Sequence, residues 1–180
     1  GSDFLDQIAR APKRILESRL RRINEALKVA VPQLRELKLE PDDRGVPHLK
    51  GLYEHWRPNA GWQSEKQFSD GTLRLLGLLW ALLEGDSLLL LEEPELSLNA
   101  GIVSQLAPFI SRMQRNRQRQ ILISTHSDAL LTEQGIDGRE VLLLTPTREG
   151  TEVKVAADID EVRALLESGF TVGEVVLPRT

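Results

Sequence analysis

The chain has 180 residues, 41% apolar and 28% charged, the balance of a water-soluble globular domain able to bury a sizeable core. Its net charge of −4 excludes a global attraction to nucleic acid and leaves only local basic patches. It has no cysteine, which excludes disulfides, thiolate metal sites and a thiol nucleophile and fits a reducing, cytoplasmic interior.

No apolar run approaches the roughly 20 residues that span a bilayer, so no membrane partner is expected. Gly1-Ser2 reads as a scar of tag cleavage. Residues 12–30 predict a helix: Pro12 suits its first turn, and Leu16, Leu20, Ile23 and Leu27 form one apolar stripe. Its other face carries Arg14, Arg19, Arg21, Arg22 and Lys28, a solvated face or, in the sharper reading, one that meets DNA. Residues 33–57 predict a β-hairpin turning at Pro41-Asp42-Asp43-Arg44-Gly45. Residues 58–67 read as a loop.

From Thr72 to Leu83 the chain is Leu-rich on nearly all faces, the pattern of a buried helix, ended by Gly85. Ser87–Leu91, Gln120–Ser124 and Glu140–Leu144 are short apolar runs of the kind found in parallel strands covered on both faces. Between the first two, residues 100–116 return to helical period, with a kink or late start expected at Pro108. Glu152–Val155 predicts a further strand, Asp158 the cap of a last helix, and Val175–Leu177 a final strand. Strands alternating with helices predict an α/β fold on a mainly parallel sheet.

Three patterns carry chemistry. Phe68-Ser69-Asp70-Gly71-Thr72 stands at the start of the buried helix. Unpaired N–H groups and the helix dipole make such an end an anion site, and the same residues also serve as a plain helix cap. Leu88–Leu91 run into Glu92-Glu93-Pro94-Glu95. Paired carboxylates at a strand's carboxyl end can hold Mg²⁺ and polarise an attacking water, or simply meet solvent. Ile121-Leu122-Ile123 end in Ser124-Thr125-His126-Ser127, where the histidine can donate to a phosphate or serve as a structural residue.

In this order and spacing the three patterns resemble those of ABC-type ATPases. Phe68–Thr72 is similar to their signature motif, Leu88–Asn99 to the Walker B strand and D-loop, and Ile123–Ser127 to the switch-histidine loop. The wording Glu-Glu-Pro-Glu-Leu-Ser-Leu most resembles the AAA-21 or OLD-like predicted ATPases, relatives of the RecF and SMC group, over residues 48–145. The resemblance implies the C-terminal half of an ABC-type P-loop fold, with ATP and Mg²⁺ as cofactors. It implies that Glu92 binds the metal through water and that Glu93 and His126 are catalytic. It implies that Ser69, Asp70, Gly71, Thr72, Ser97 and Asn99 meet nucleotide across a homodimer, with DNA as a further partner in repair or phage defence. The expected division is 3–57 as helix plus hairpin, 58–157 as the ATPase core and 158–180 as a C-terminal helix and strand.

The chain departs from the pattern at Asp70, Glu92 and Asn99, where relatives carry Gly, Asp, and Asp or His. No G-x-x-x-x-G-K-[ST] occurs, and Gly is never followed by Lys. Without that phosphate cradle the expectation is that a P-loop half lies upstream or on another chain, and that this chain alone turns over no ATP. The competing reading is an inactive partner or dimerisation module. A half-sheet is also expected to leave apolar faces and edges for a partner to cover.

Overall fold

The computed structural model describes residues 2–28, 30–54, 61–115 and 119–177. The chain divides into two compact units, 1–85 and 86–180.

In the first unit, helices α1 (Ser2–Ala9) and α2 (Lys13–Leu27) precede an antiparallel sheet of β1 (Leu34–Pro41), β2 (Pro47–Tyr53) and β3 (Trp62–Ser64). Pro12 sits just ahead of α2, and Leu20, Ile23 and Leu27 are buried on its apolar stripe, as the spacing requires. The Asn24 side chain donates to the Arg35 carbonyl at 2.8 Å and ties α2 to β1. Most of the basic face is exposed and solvated, but Arg19 turns inward, 3.6 Å from Glu84 and with its guanidinium 4.9 Å from the centre of the Trp80 ring. The hairpin forms as expected, in one register from Pro41 opposite Pro47 to Glu36 opposite Leu52, with a one-residue irregularity before Leu34 pairs with Tyr53.

The loop expected over 58–67 is different where it is described. Residues 62–64 add β3 to the hairpin and 65–67 form a single 3-10 turn, with 58–60 outside the described residues. Helix α3 (Asp70–Leu83) follows and buries Leu75, Leu76, Leu78, Leu79, Trp80, Leu82 and Leu83, nearly the whole circumference the sequence marks as apolar.

In the second unit, β4 (Leu89–Glu92) pairs in parallel with β5 (Ile121–Ser124), and α4 (Ala100–Val103) and α5 (Leu106–Arg115) lie between them in sequence. The expected late start at Pro108 is realised as a break after α4. Proline falls in the first turn of α5, where its missing N–H has no helical partner to lose.

Two expectations about the sheet are corrected. Parallel pairing among the described residues is confined to β4 and β5. Strands β6 (Leu142–Thr147) and β7 (Gly150–Val155) instead form an antiparallel hairpin around Arg148-Glu149. Two residues can close a hairpin, whereas a parallel return needs a crossover of about a dozen or more. Nor are β4 and β5 covered on both faces: Leu90 is 66% and Leu122 45% exposed, opposite each other in the pairing.

The C-terminus differs too. The last turns are α6 (Asp128–Leu131), α7 (Asp160–Glu167) and α8 (Val172–Val176). Asp158 ends a 3-10 turn and Ile159 stands at the cap of α7, so Asp158 is not the helix cap. Val175–Leu177 is no strand. Thr171 and Glu174 form a reciprocal capping box that starts a helix there, with the Thr171 N–H donating to Glu174 at 2.8 Å. Gly173 lets α8 approach α6 closely, since a Cβ would lie 3.1 Å from the Leu131 backbone. Leu143, Ala156, Val162, Val172, Val175 and Val176 form the core of this end. Among the described residues no helix is long and apolar enough to cross a membrane.

Leu76, 2% exposed in α3, reports the first core. Leu76→Ala should cost about 2–5 kcal/mol in urea unfolding of the purified chain. A cost near zero would mean that α3 is not packed as described.

Candidate functional site

Glu92 and Ser124 are register partners and close their strands together. Just beyond, the Glu93 N–H donates to the Ser124 carbonyl at 2.9 Å. The backbone then leaves the strand sharply. Glu93 has φ +42 and Ser97 φ +66, both in the left-handed region although neither is glycine. Each such residue costs on the order of 1–3 kcal/mol, a strain that persists only where surrounding contacts hold it. Consecutive turns bridge it, from Leu96 N–H to the Glu93 carbonyl at 3.1 Å and from Leu98 N–H to the Glu95 carbonyl at 3.0 Å.

The turn brings the Glu93 carboxylate to the loop after β5. Its Oε1 lies 2.9 Å from His126 Nδ1. The imidazole is 74% exposed and the carboxylate side chain 33%, so the pair stands at the surface where a ligand can reach it. A carboxylate on Nδ1 favours the tautomer with hydrogen on that nitrogen and leaves Nε2 for another partner. Beneath this pair, Glu95 is buried and accepts from the Thr125 hydroxyl, which in turn accepts from the Ser127 N–H at 3.0 Å.

Glu92 is exposed at the end of the strand face that also carries Leu90, Leu122 and Ser124. Among the described residues no three His, Asp or Glu side chains converge as a metal cage. One strand-end carboxylate beside a serine hydroxyl is the donor set that suits Mg²⁺ held mainly by water and substrate phosphates. On the same loop Ser97 is exposed, and Asn99 caps α4 by accepting from the Ile102 N–H at 3.0 Å. Asn caps as well as Asp does, so the departure at Asn99 keeps the local structure.

The signature-like residues belong to the first unit. Ser69 caps α3, accepting from the Thr72 N–H at 3.2 Å, and its Oγ lies 2.9 Å from the Thr72 hydroxyl. Ser69 and Asp70 are exposed, Gly71 is half-buried and Thr72 is buried. Just upstream, His48 links the hairpin to the 3-10 turn, with Nδ1 2.8 Å from Glu65 and Nε2 3.5 Å from Asp42. The Asp42 carboxyl sits below its ordinary range, chiefly because the Val46 N–H donates to it, with help from Arg44 and His48 and against partial desolvation.

Within the second unit, then, Glu92, Glu93 and His126 come together at one strand edge and Ser97 and Asn99 follow on the same loop. The sequence pattern gives no role to Glu95 or Thr125. Their signal was a third acid directly after Pro94 and a hydroxyl directly ahead of the histidine.

The fold is similar to that of SMC ATPase head domains. The chain matches a structure from work on the ATP-driven dimerization and DNA-stimulated activation of SMC ATPases with a TM-score of 0.60 and 14% identity, over 86% of this chain and 92% of that one. It matches the Smc head domain of Pyrococcus furiosus, solved with an extended coiled coil and the C-terminal domain of ScpA, at 0.60 and 14%, over 86% and 38%. For the Smc head of Pyrococcus yayanosii with coiled coil and joint the values are 0.59 and 15%, over 87% and 30%. The chain thus spans 38% and 30% of those two Smc chains. Residues 2–132 match the model of the AAA-21 family, described as AAA domain, putative AbiEii toxin, Type IV TA system, and the chain belongs to that family. A search of curated proteins finds none that matches.

Ser69→Ala removes the α3 cap and should lower stability by about 0.5–2 kcal/mol in chemical unfolding, with Ser69→Asp close to wild type. An unchanged unfolding midpoint in the alanine variant would contradict the cap.

Proposed function

We propose that this chain is the signature, Walker B and switch-histidine half of an ATP-hydrolysing ABC-type engine, completed by a P-loop half. The observation that carries the reading is the Glu93–His126 contact of 2.9 Å at the carboxyl ends of two parallel strands. Ligands of open α/β sheets bind at that edge. A carboxylate there can accept a proton from water, and an imidazolium beside it, with hydrogen on both ring nitrogens, can hold the carboxylate through Nδ1–H and donate Nε2–H to a phosphate oxygen.

In this reading Glu93 orients the attacking water, and the reaction is in-line transfer of the γ-phosphoryl group of ATP to that water, giving ADP and phosphate. His126, as the imidazolium, donates Nδ1–H to Glu93 and Nε2–H to a γ-phosphate oxygen. Glu92 and the Ser124 hydroxyl would hold Mg²⁺. Bound Mg²⁺ would supply neutralisation of charge on the phosphate oxygens. Ser69, Gly71 and Thr72 offer hydroxyl and backbone donors to the γ-phosphate of a nucleotide held by a second copy, and Ser97 and Asn99 reach across the same homodimer. Asp70 adds an acid to that helix start, so metal or lysine charge on the bound nucleotide must offset it.

The exposed apolar face bearing Leu90 and Leu122 supports a covering partner, and the reading assigns that cover to the P-loop half. ATP-driven dimerization and stimulation by DNA are described for an SMC relative, and the family's description names a toxin of a toxin–antitoxin system. These support an ATP-driven dimer switch, and the resemblance to the RecF and SMC group adds action in DNA repair or phage defence as its role.

Purified alone, the chain should release no phosphate from ATP. Joined to a P-loop-bearing segment, it should show Mg²⁺-dependent release that Glu93→Gln lowers about 100- to 10,000-fold with little change in ATP affinity. Turnover indifferent to Glu93→Gln would defeat the proposal. So would robust turnover by the isolated chain.

A further inference from the structure

Two pairs of side chains join the loop after β4 to the loop after β5. The outer one is Glu93 with His126, at the surface. The inner one is Glu95 with Thr125, and Glu95 is only 8% exposed. The acids are two residues apart on one loop and their partners adjacent on the other, so the two contacts are rungs between the same strands of backbone. The Thr125 hydroxyl also accepts from the Ser127 N–H at 3.0 Å, which closes the backbone around His126.

The rungs differ in strength for a physical reason. An exposed ion pair is screened by water and orders a long side chain weakly. A hydrogen bond from a hydroxyl to a carboxylate in a dry setting is stiffer. The inner rung also comes at a cost. Glu95 Oε2 is buried and finds no hydrogen-bond partner among the described residues. A carboxylate with half its acceptor capacity unmet is an expensive way to fill space, and an apolar side chain would fill it more cheaply. Between β5 and α6, moreover, residues 125–127 form neither helix nor strand.

We propose that Glu95 is a positioning residue: through the Thr125 hydroxyl it fixes the loop that holds His126 against Glu93. The catalytic consequence rests on the ATPase reading above, but the positioning itself does not. Glu95 touches neither water nor phosphate in this scheme, so its removal should alter turnover rather than nucleotide binding.

The test has two arms. In the 180-residue chain, ¹⁵N NMR of the His126 imidazole reports whether Nδ1 holds its proton in a hydrogen bond, and amide exchange reports the Ser127 N–H. Thr125→Val, nearly the same in shape, should lose the Nδ1–H signature and speed Ser127 exchange by about tenfold or more. Thr125→Ser and Glu95→Gln, which keep a donor and an acceptor, should restore both signals. Leu143→Ala weakens the core of the same unit without touching the rung and should leave both signals in place. If Thr125→Val does not fold, Glu95→Ala is read the same way.

In the second arm, the protein joined to its P-loop half should show kcat reduced about 10- to 100-fold in Thr125→Val, with KM for ATP unchanged. A native His126 signature in Thr125→Val and Glu95→Ala would overturn the inference. So would its equal loss in Leu143→Ala, or a change confined to KM. Absence of any turnover in the joined wild-type protein would sink the ATPase reading alone, and the NMR arm would still decide the role of Glu95.

Discussion

The site depends on one constraint, the parallel, in-register pairing of β4 with β5. Parallel strands end on the same edge of a sheet, so the loops that follow them are neighbours. Antiparallel pairing would send those loops to opposite ends. Because Glu92 is opposite Ser124, the next residues on each strand, Glu93 and Thr125-His126, emerge side by side. The donation from the Glu93 N–H to the Ser124 carbonyl carries the pairing one step past the strand, and the left-handed turn at Glu93 aims its carboxylate at the imidazole. Two strained backbone positions in the loop after β4 are tolerated because consecutive turns and the contact between Glu95 and Thr125 over-determine its path.

The same strands display a tension between function and packing. Their half-buried residues, Leu89, Leu91, Ile121 and Ile123, face one way, and Leu90 and Leu122 lie exposed on the other. Leu142, Leu144 and Val153 of the β6–β7 hairpin are also at least half exposed. Apolar strand faces of this kind are costly in water and are ordinarily covered. The chain therefore carries Glu92, Glu93 and His126 on an element that is apolar enough to receive another layer.

Much of this architecture is legible in the sequence because its signals are long or doubled. The stripe of Leu16, Leu20, Ile23 and Leu27 repeats often enough to define α2, and the Leu-rich run from Thr72 to Leu83, apolar on nearly all faces, marks a buried helix. The meeting of Glu93 and His126 was readable because each follows a short apolar strand, and parallel neighbours bring their carboxyl ends to one edge. The misreadings fall on segments too short for periodicity. Val175–Leu177 is apolar in a way that suits strand or helix equally, and only the Thr171–Glu174 capping box decides it. β3 has three residues, fewer than any alternation can reveal. At β6 and β7 the sequence does mark 147–150 as a turn between two strands, but Arg148-Glu149 lacks the usual Asn-Gly or Asp-Gly signature that would show the strands pairing directly. Glu95 escaped because nothing in an acidic run tells a buried carboxylate from a solvated one.

The central claim is that Glu93 and His126 work as one unit, and a double-mutant cycle measures it most directly. Turnover of the chain joined to a P-loop-bearing segment would be compared for wild type, Glu93→Gln, His126→Ala and the double variant. The account predicts strong non-additivity, with the double variant about as impaired as the worse single one. Losses that simply multiply would show two independent residues and contradict the account.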